Sequence, residues 1–137
     1  MGEVFSYQAA TNEFGEKGFV PSIPITLRHN RQNLQINGLI DTGAAVNVLP
    51  YSVGLDLGYV WDESKNGLRL AGNLGRFRAQ GILVPVTVAS FTSVELAFAW
   101  TEVDTVPLLL GQVNFLMVFD VCIYRSRLQL EITPKTS

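Results

Sequence analysis

Asp41 ends an apolar run, "NGLID", and is followed at once by Thr42, Gly43, Ala44 and Ala45. A carboxylate at that point is expensive to bury alone, so either it sits at a solvated turn or the folded protein supports a charge there for use. The chemistry open to it is proton transfer, to or from water or a carbonyl oxygen. Other reactive side chains are sparse. One cysteine, Cys122, and one histidine, His29, leave no His/Cys cluster for a metal, and a lone cysteine makes no internal disulfide. His29 reads as a solvated side chain beside a turn, and Cys122 as a small buried hydrophobe. The chemistry of this chain rests on Asp41.

The elements that must position Asp41 read mostly as strands. "FVPSIPITLRH" alternates at Ile23, Ile25 and Leu27, "NRQN" is a turn, and "LQINGLI" leads into Asp41, so a hairpin delivers the carboxylate at a strand end. "VNVLP" is a further short strand, "YSVGLDLG" a weak helical or turn segment, and "WDESKNG" a polar loop. "LRLAGNLGRFRAQGILVPVTVAS" reads as a long hairpin whose tip holds Gly72 and Gly75. "SVELAFAW" alternates again, and "LLL" is a buried strand ending at Gly111. "QVNFLMVF" reads as the one helix, about two turns, with Val113, Leu116, Met117 and Phe119 toward the core. "DVCIYRSRLQLEI" is a last hairpin. Residues 1–18 form an N-terminal arm, with a first strand around 4–7, and 133–137 a tail.

Composition bounds the rest. A chain of 137 residues, 47% apolar and 16% charged, holds one core and has apolar surface left for self-association. The net charge is −2 and the arginines are scattered, which excludes a nucleic-acid footprint. No apolar run is long enough for a membrane helix and no leader pattern opens the chain, so the expected protein is soluble and cytoplasmic.

Three features stand in order: Asp41-Thr42-Gly43-Ala44, a glycine-tipped hairpin some thirty residues on, and Leu108-Leu109-Leu110-Gly111 before a short helix. Over residues 19–132 this resembles the retropepsins, the retroviral-type aspartic proteases, in the branch found in bacteria and retroelements. The resemblance implies an all-β closed barrel of the retropepsin type with one short C-terminal helix, a single domain acting as a homodimer. It implies an aspartic endopeptidase without metal or cofactor that cleaves a peptide or protein substrate. Two carboxylates sharing one proton perform both halves of such a hydrolysis, because like charges about 3 Å apart do not both ionise. This chain has one Asp-Thr-Gly; Asp56, Asp62, Asp104 and Asp120 lack the Thr-Gly. The second carboxylate is therefore the Asp41 of another copy, across a twofold axis.

The resemblance further assigns Thr42 to bracing the two loops, Gly43 to close approach of backbone and substrate, and Ala44 to the retroviral form of the motif. Ala71, Gly72, Asn73, Leu74 and Gly75 become a flap over bound substrate. Leu109, Leu110 and Gly111 support the catalytic loop from beneath. The dimer would be closed by interleaved termini, drawing on the arm or on residues 128–132. Ala45 departs from the pattern, since retroviral enzymes usually place a substrate-anchoring acid there. That departure keeps a second function open, a catalytically silent dimeric interaction domain. A third, a phosphate or metal carboxylate on an α/β fold, would need crossover helices and further acids that the sequence does not show.

Overall fold

Alternation along the chain becomes a computed structural model whose described residues are 2–65, 68–69 and 78–135. The expected flap, Ala71, Gly72, Asn73, Leu74 and Gly75, lies outside them. The first four strands are β1 (Glu3–Ser6), β2 (Gln8–Thr11), β3 (Lys17–Val20) and β4 (Ser22–His29). They are followed by β5 (Gln32–Ile40), β6 (Asn47–Leu49), helix α1 (Tyr51–Asp56), β7 (Leu68–Arg69), β8 (Arg78–Val88) and β9 (Val94–Thr101). The chain ends with β10 (Leu109–Leu110), helix α2 (Phe115–Val118), β11 (Phe119–Tyr124), a turn of 3-10 helix (Arg125–Arg127) and β12 (Gln129–Pro134).

Every second side chain of the long strands points inward, as a period of two requires. Ile23, Ile25 and Leu27 of β4 meet Val84, Val86 and Val88 of β8 and Leu96, Phe98 and Trp100 of β9 in one core. The large sheet runs β4-β5-β10-β6-β9-β8-β7, and β4 pairs again with β8, which closes a barrel of six strands. The all-β expectation holds, with 55% of residues in strands.

Beside the barrel, β1, β12 and β11 make a three-stranded sheet with β12 in the middle. Glu3–Ser6 pairs with one edge of β12 and β11 with the other. The strand nominated to join a second copy therefore has both edges occupied within its own chain. A separate two-stranded sheet, β2 with β3, occupies a stretch whose mixed residues had suggested only an arm.

The helices depart from expectation. Among the described residues there are two: α1 falls in the segment read as weak helix or turn, and α2 is a single turn. Its core residue is Phe115, stacked on Phe119 with ring centres 4.9 Å apart, whereas Val113 and Met117 are 50% and 58% exposed. The turn ends because Phe119 is already extended into β11. Helix α1 packs Gly54 so tightly on the Trp100 indole that any Cβ would overlap the ring, and it stops at Gly58, whose φ of +93° suits glycine. Two single residues also differ. His29 is no free side chain: it stacks on Tyr59 at 3.8 Å and donates from Nδ1 to the Leu57 carbonyl at 2.9 Å. Cys122 is exposed, because it alternates away from the core in β11. Among the described residues no helix is long and apolar enough to cross a membrane.

Candidate active site

Asp41 stands one residue beyond β5, at the start of the loop 41–46 that leads to β6. These two strands are not neighbours. The two-residue strand β10 lies between them, parallel to β5 and antiparallel to β6. The backbone N–H of Leu39 donates to Leu108 O at 2.9 Å and that of Asp41 to Leu110 O at 3.0 Å. The ladder thus continues through Asp41, and its side chain falls on the same face as that of Leu39.

Locally the loop is a turn closed by its own aspartate. The Gly43 N–H donates to Asp41 Oδ1 at 2.9 Å, and the Ala44 N–H to Asp41 O at 3.1 Å. Short polar side chains that bond backbone two residues ahead are what make Asp a turn former. The turn leaves Asp41 half-buried, with Thr42, Gly43 and Ala45 exposed around it. Ala44 is half-buried and turns the other way. With Leu39, Val46 and Val106 it packs on a small second cluster of Val48, Ala79, Ala99 and Leu109.

The loop has to cross over the end of β10, and Gly111 is the crossing point. A Cβ on Gly111 would lie 2.6 Å from Ala44 O and 2.7 Å from Val46 O, closer than any side chain allows. Leu109 and Leu110 divide their side chains as a strand must. Leu110 is fully buried in the barrel core, and Leu109 belongs to the second cluster under Ala44. Past Gly111, the Gln112 N–H donates to Ala44 O at 2.9 Å, the Gln112 Nε2 to Thr42 O at 2.8 Å and the Val113 N–H to Ala45 O at 2.9 Å.

The polar centre beneath this loop is Asn47, which the sequence reading passed over as part of a short strand. It has no solvent exposure. Its Oδ1 accepts from the Gly111 N–H at 2.8 Å, while its Nδ2 donates to Ala97 O at 3.0 Å and to Asn114 Oδ1 at 3.1 Å. Asn114 Oδ1 also accepts from the Ala97 N–H at 3.2 Å. Two asparagines thereby tie β6, β9 and the segment after β10 together below the carboxylate. The available signal was an asparagine inside the apolar run "VNVL", which must find partners if buried.

The structure thus brings together Asp41, Thr42, Gly43, Ala44, Leu109, Leu110 and Gly111. Among the described residues no group of three or more His, Cys, Asp and Glu side chains is gathered to hold a metal ion. What the arrangement offers is one accessible carboxylate on a loop braced from below, which is half of an acid and base pair.

No protein-family model matches the chain, and no curated protein sequence matches it. Among solved structures it is similar to a retropepsin-like aspartic protease from Rickettsia conorii. The two share 24% identity over 96% of this chain and 92% of the other, with a TM-score of 0.60. The fold is retropepsin-like.

Proposed function

We propose that this chain is one subunit of an aspartic endopeptidase that hydrolyses peptide bonds as a homodimer. The observation that carries the reading is the placement of Asp41: a half-buried carboxylate at the mouth of a rigid loop, with Thr42, Gly43 and Ala45 exposed beside it. A lone carboxylate in that setting performs half of the required proton transfer. A second copy docked on the exposed loop residues supplies the other half, as the isologous contact of a twofold dimer allows.

In that dimer the two Asp41 side chains share one proton. The ionised member takes a proton from a water held between them as the oxygen attacks the peptide carbonyl. The protonated member gives its proton to the carbonyl oxygen, and the tetrahedral intermediate then collapses with proton transfer to the departing amine. Both Asp41 loops need no metal for this sequence of transfers. Leu39, on the face of Asp41, offers an apolar surface next to the carboxylate, which favours apolar substrate side chains.

The competing reading is a dimeric interaction domain of the same fold that cleaves nothing, and the exposed Ala45 favours it, since no acid stands there to hold substrate backbone. One experiment separates the two. A mixed peptide library is incubated from about pH 4 to 8 with wild type and with Asp41→Asn, with and without a statine-type transition-state inhibitor. Cleavage that is lost in the variant and blocked by the inhibitor is the expected result. A wild type that stays inactive while sedimenting as a dimer would hand the case to the interaction domain.

A further inference from the structure

The hairpin of β2 and β3 pairs with no third strand among the described residues. Two strands on their own are marginally stable in water, and neither β2 nor β3 holds a buried residue. The turn that joins them is nonetheless closely built. Asn12 Oδ1 accepts from the N–H groups of Phe14 and Glu16, both at 2.9 Å, and Asn12 Nδ2 donates to Glu16 Oε1 at 2.9 Å. The Gly15 N–H donates to Asn12 O at 3.0 Å, with Gly15 at a φ of +78° that glycine adopts freely. At the centre of this turn Phe14 is 79% exposed, between Glu13 and Glu16. Holding a phenyl ring rigidly in water does nothing for the fold of the single chain. A fixed, exposed aromatic side chain is instead what an interface uses as an anchor.

Elsewhere on the surface lies a groove of about 540 Å³ whose lining matches such an anchor. Phe91, Val94, Val118, Phe119 and Pro134 make it apolar, and Lys135 is the one charged side chain that lines it. Ser90, also in the lining, donates its hydroxyl to the Glu3 carboxylate and so engages the nearest acid. No residue of the turn 12–16 lines this groove, so ring and groove do not meet within one chain. The chain thus carries an aromatic ring flanked by carboxylates and, apart from it, an apolar groove edged by an ammonium.

We infer that in the homodimer the turn 12–16 of each copy docks on the other, with Phe14 in the groove and Glu13 beside Lys135. Each copy gives a ring and receives one, which is the mutual contact that a twofold dimer makes. The inference rests on the homodimer of the proposed function and holds whether or not that dimer cleaves. Burying one phenyl ring strengthens association by at least about tenfold, so the two per dimer amount to about a hundredfold.

Phe14→Ser should therefore weaken dimerisation about a hundredfold in sedimentation, and because the side chain is exposed its loss leaves the fold intact. The contact itself is read by cross-linking two different chains. Both carry Cys122→Ser, which removes the exposed native thiol. One also carries Phe14→Cys and the other Thr92→Cys, at an exposed position in the groove. Mixed and treated with a short bis-maleimide, the two should form a covalent pair. Val60→Cys, at a site 85% exposed, should form none when it takes the place of Phe14→Cys. A dimer left unweakened by Phe14→Ser, or a mixture that cross-links no better than the Val60→Cys control, overturns the docking contact and leaves the homodimer standing. A wild type that sediments as a monomer at every concentration removes the homodimer, and the contact with it.

Discussion

Replacing Asn47 by leucine keeps its approximate shape and removes three hydrogen bonds, leaving the buried Gly111 N–H without its partner while Asn114 Oδ1 keeps only the Ala97 N–H. An orphaned buried group costs about 1–3 kcal/mol and each further lost bond about 1 kcal/mol, so Asn47→Leu should lower stability by about 3 kcal/mol in urea denaturation. An unchanged midpoint would mean that the network contributes nothing. Tyr59 offers a test by pH. Its hydroxyl donates to Leu83 O at 2.7 Å, and burial, with Glu95 adding to it, raises its pKa above the ordinary tyrosine value. A raised value means that the fold prefers the neutral phenol. The stabilisation is complete below about pH 10, the unfolded value, and is lost as pH rises through the higher folded one. Tyr59→Phe should therefore lose that alkaline dependence, at a cost near neutral pH of about 1 kcal/mol or less. The place of Asp41 at a strand end was legible because an apolar run closed by Asp-Thr-Gly is local information. Asn47 was not, since its partners lie 50 to 67 positions away.

Among the elements, the loop 41–46 approaches the end of β10 most closely at one glycine, Gly111. Gly111→Ala would press a methyl carbon against two carbonyl oxygens that belong to backbone and cannot swing aside. Displacing a catalytic loop by about 1 Å can lower activity by about a hundredfold, and under the proposed function that loss is expected here in kcat/KM. Gly81→Ala is the control, because a Cβ there meets nothing within 4 Å. It should stay within about 0.5 kcal/mol of wild type in stability. The long hairpins could be read from the sequence because β-branched residues alternate through them. The hairpin of β2 and β3 could not, because Gln8-Ala9-Ala10-Thr11 and Lys17-Gly18-Phe19-Val20 bury nothing fully and carry no clean pattern. α2 was overread for a related reason: apolar residues at helical spacing mark a core face only if the element is long enough to have one. Val113, beside Ala45, and Met117 instead remain on the surface.

Taken whole, the molecule presents exposed Val113 beside the loop 41–46, where the proposed dimer would form. If cleavage requires a dimer, activity per chain should fall on dilution in step with the dimer fraction measured by sedimentation, and Val113→Lys should shift both curves to higher protein concentration. Activity that is independent of dilution, down to a range where sedimentation finds only monomer, would refute the paired mechanism. The three-stranded sheet narrows the geometry of that dimer. With β12 enclosed by β1 and β11, a partner strand can join this sheet only at its outer edges. The fold class was readable because period-two alternation runs through most of the chain, whereas the way the termini fold back depends on contacts between the two ends, which no local pattern records.

The insertion of β10 between β5 and β6 also orders events in time. Residues 41–46 are synthesised early, yet the groups that brace them, Leu110, Gly111 and Gln112, follow some seventy residues later. Until that late segment threads between the two waiting strands, the loop lacks its floor and Asp41 has no fixed direction. A nascent chain that ends before Leu109 should therefore be inert as a protease even at high concentration. If the chain is the protease proposed above, its apparatus would be armed only after the segment through Gln112 has been made.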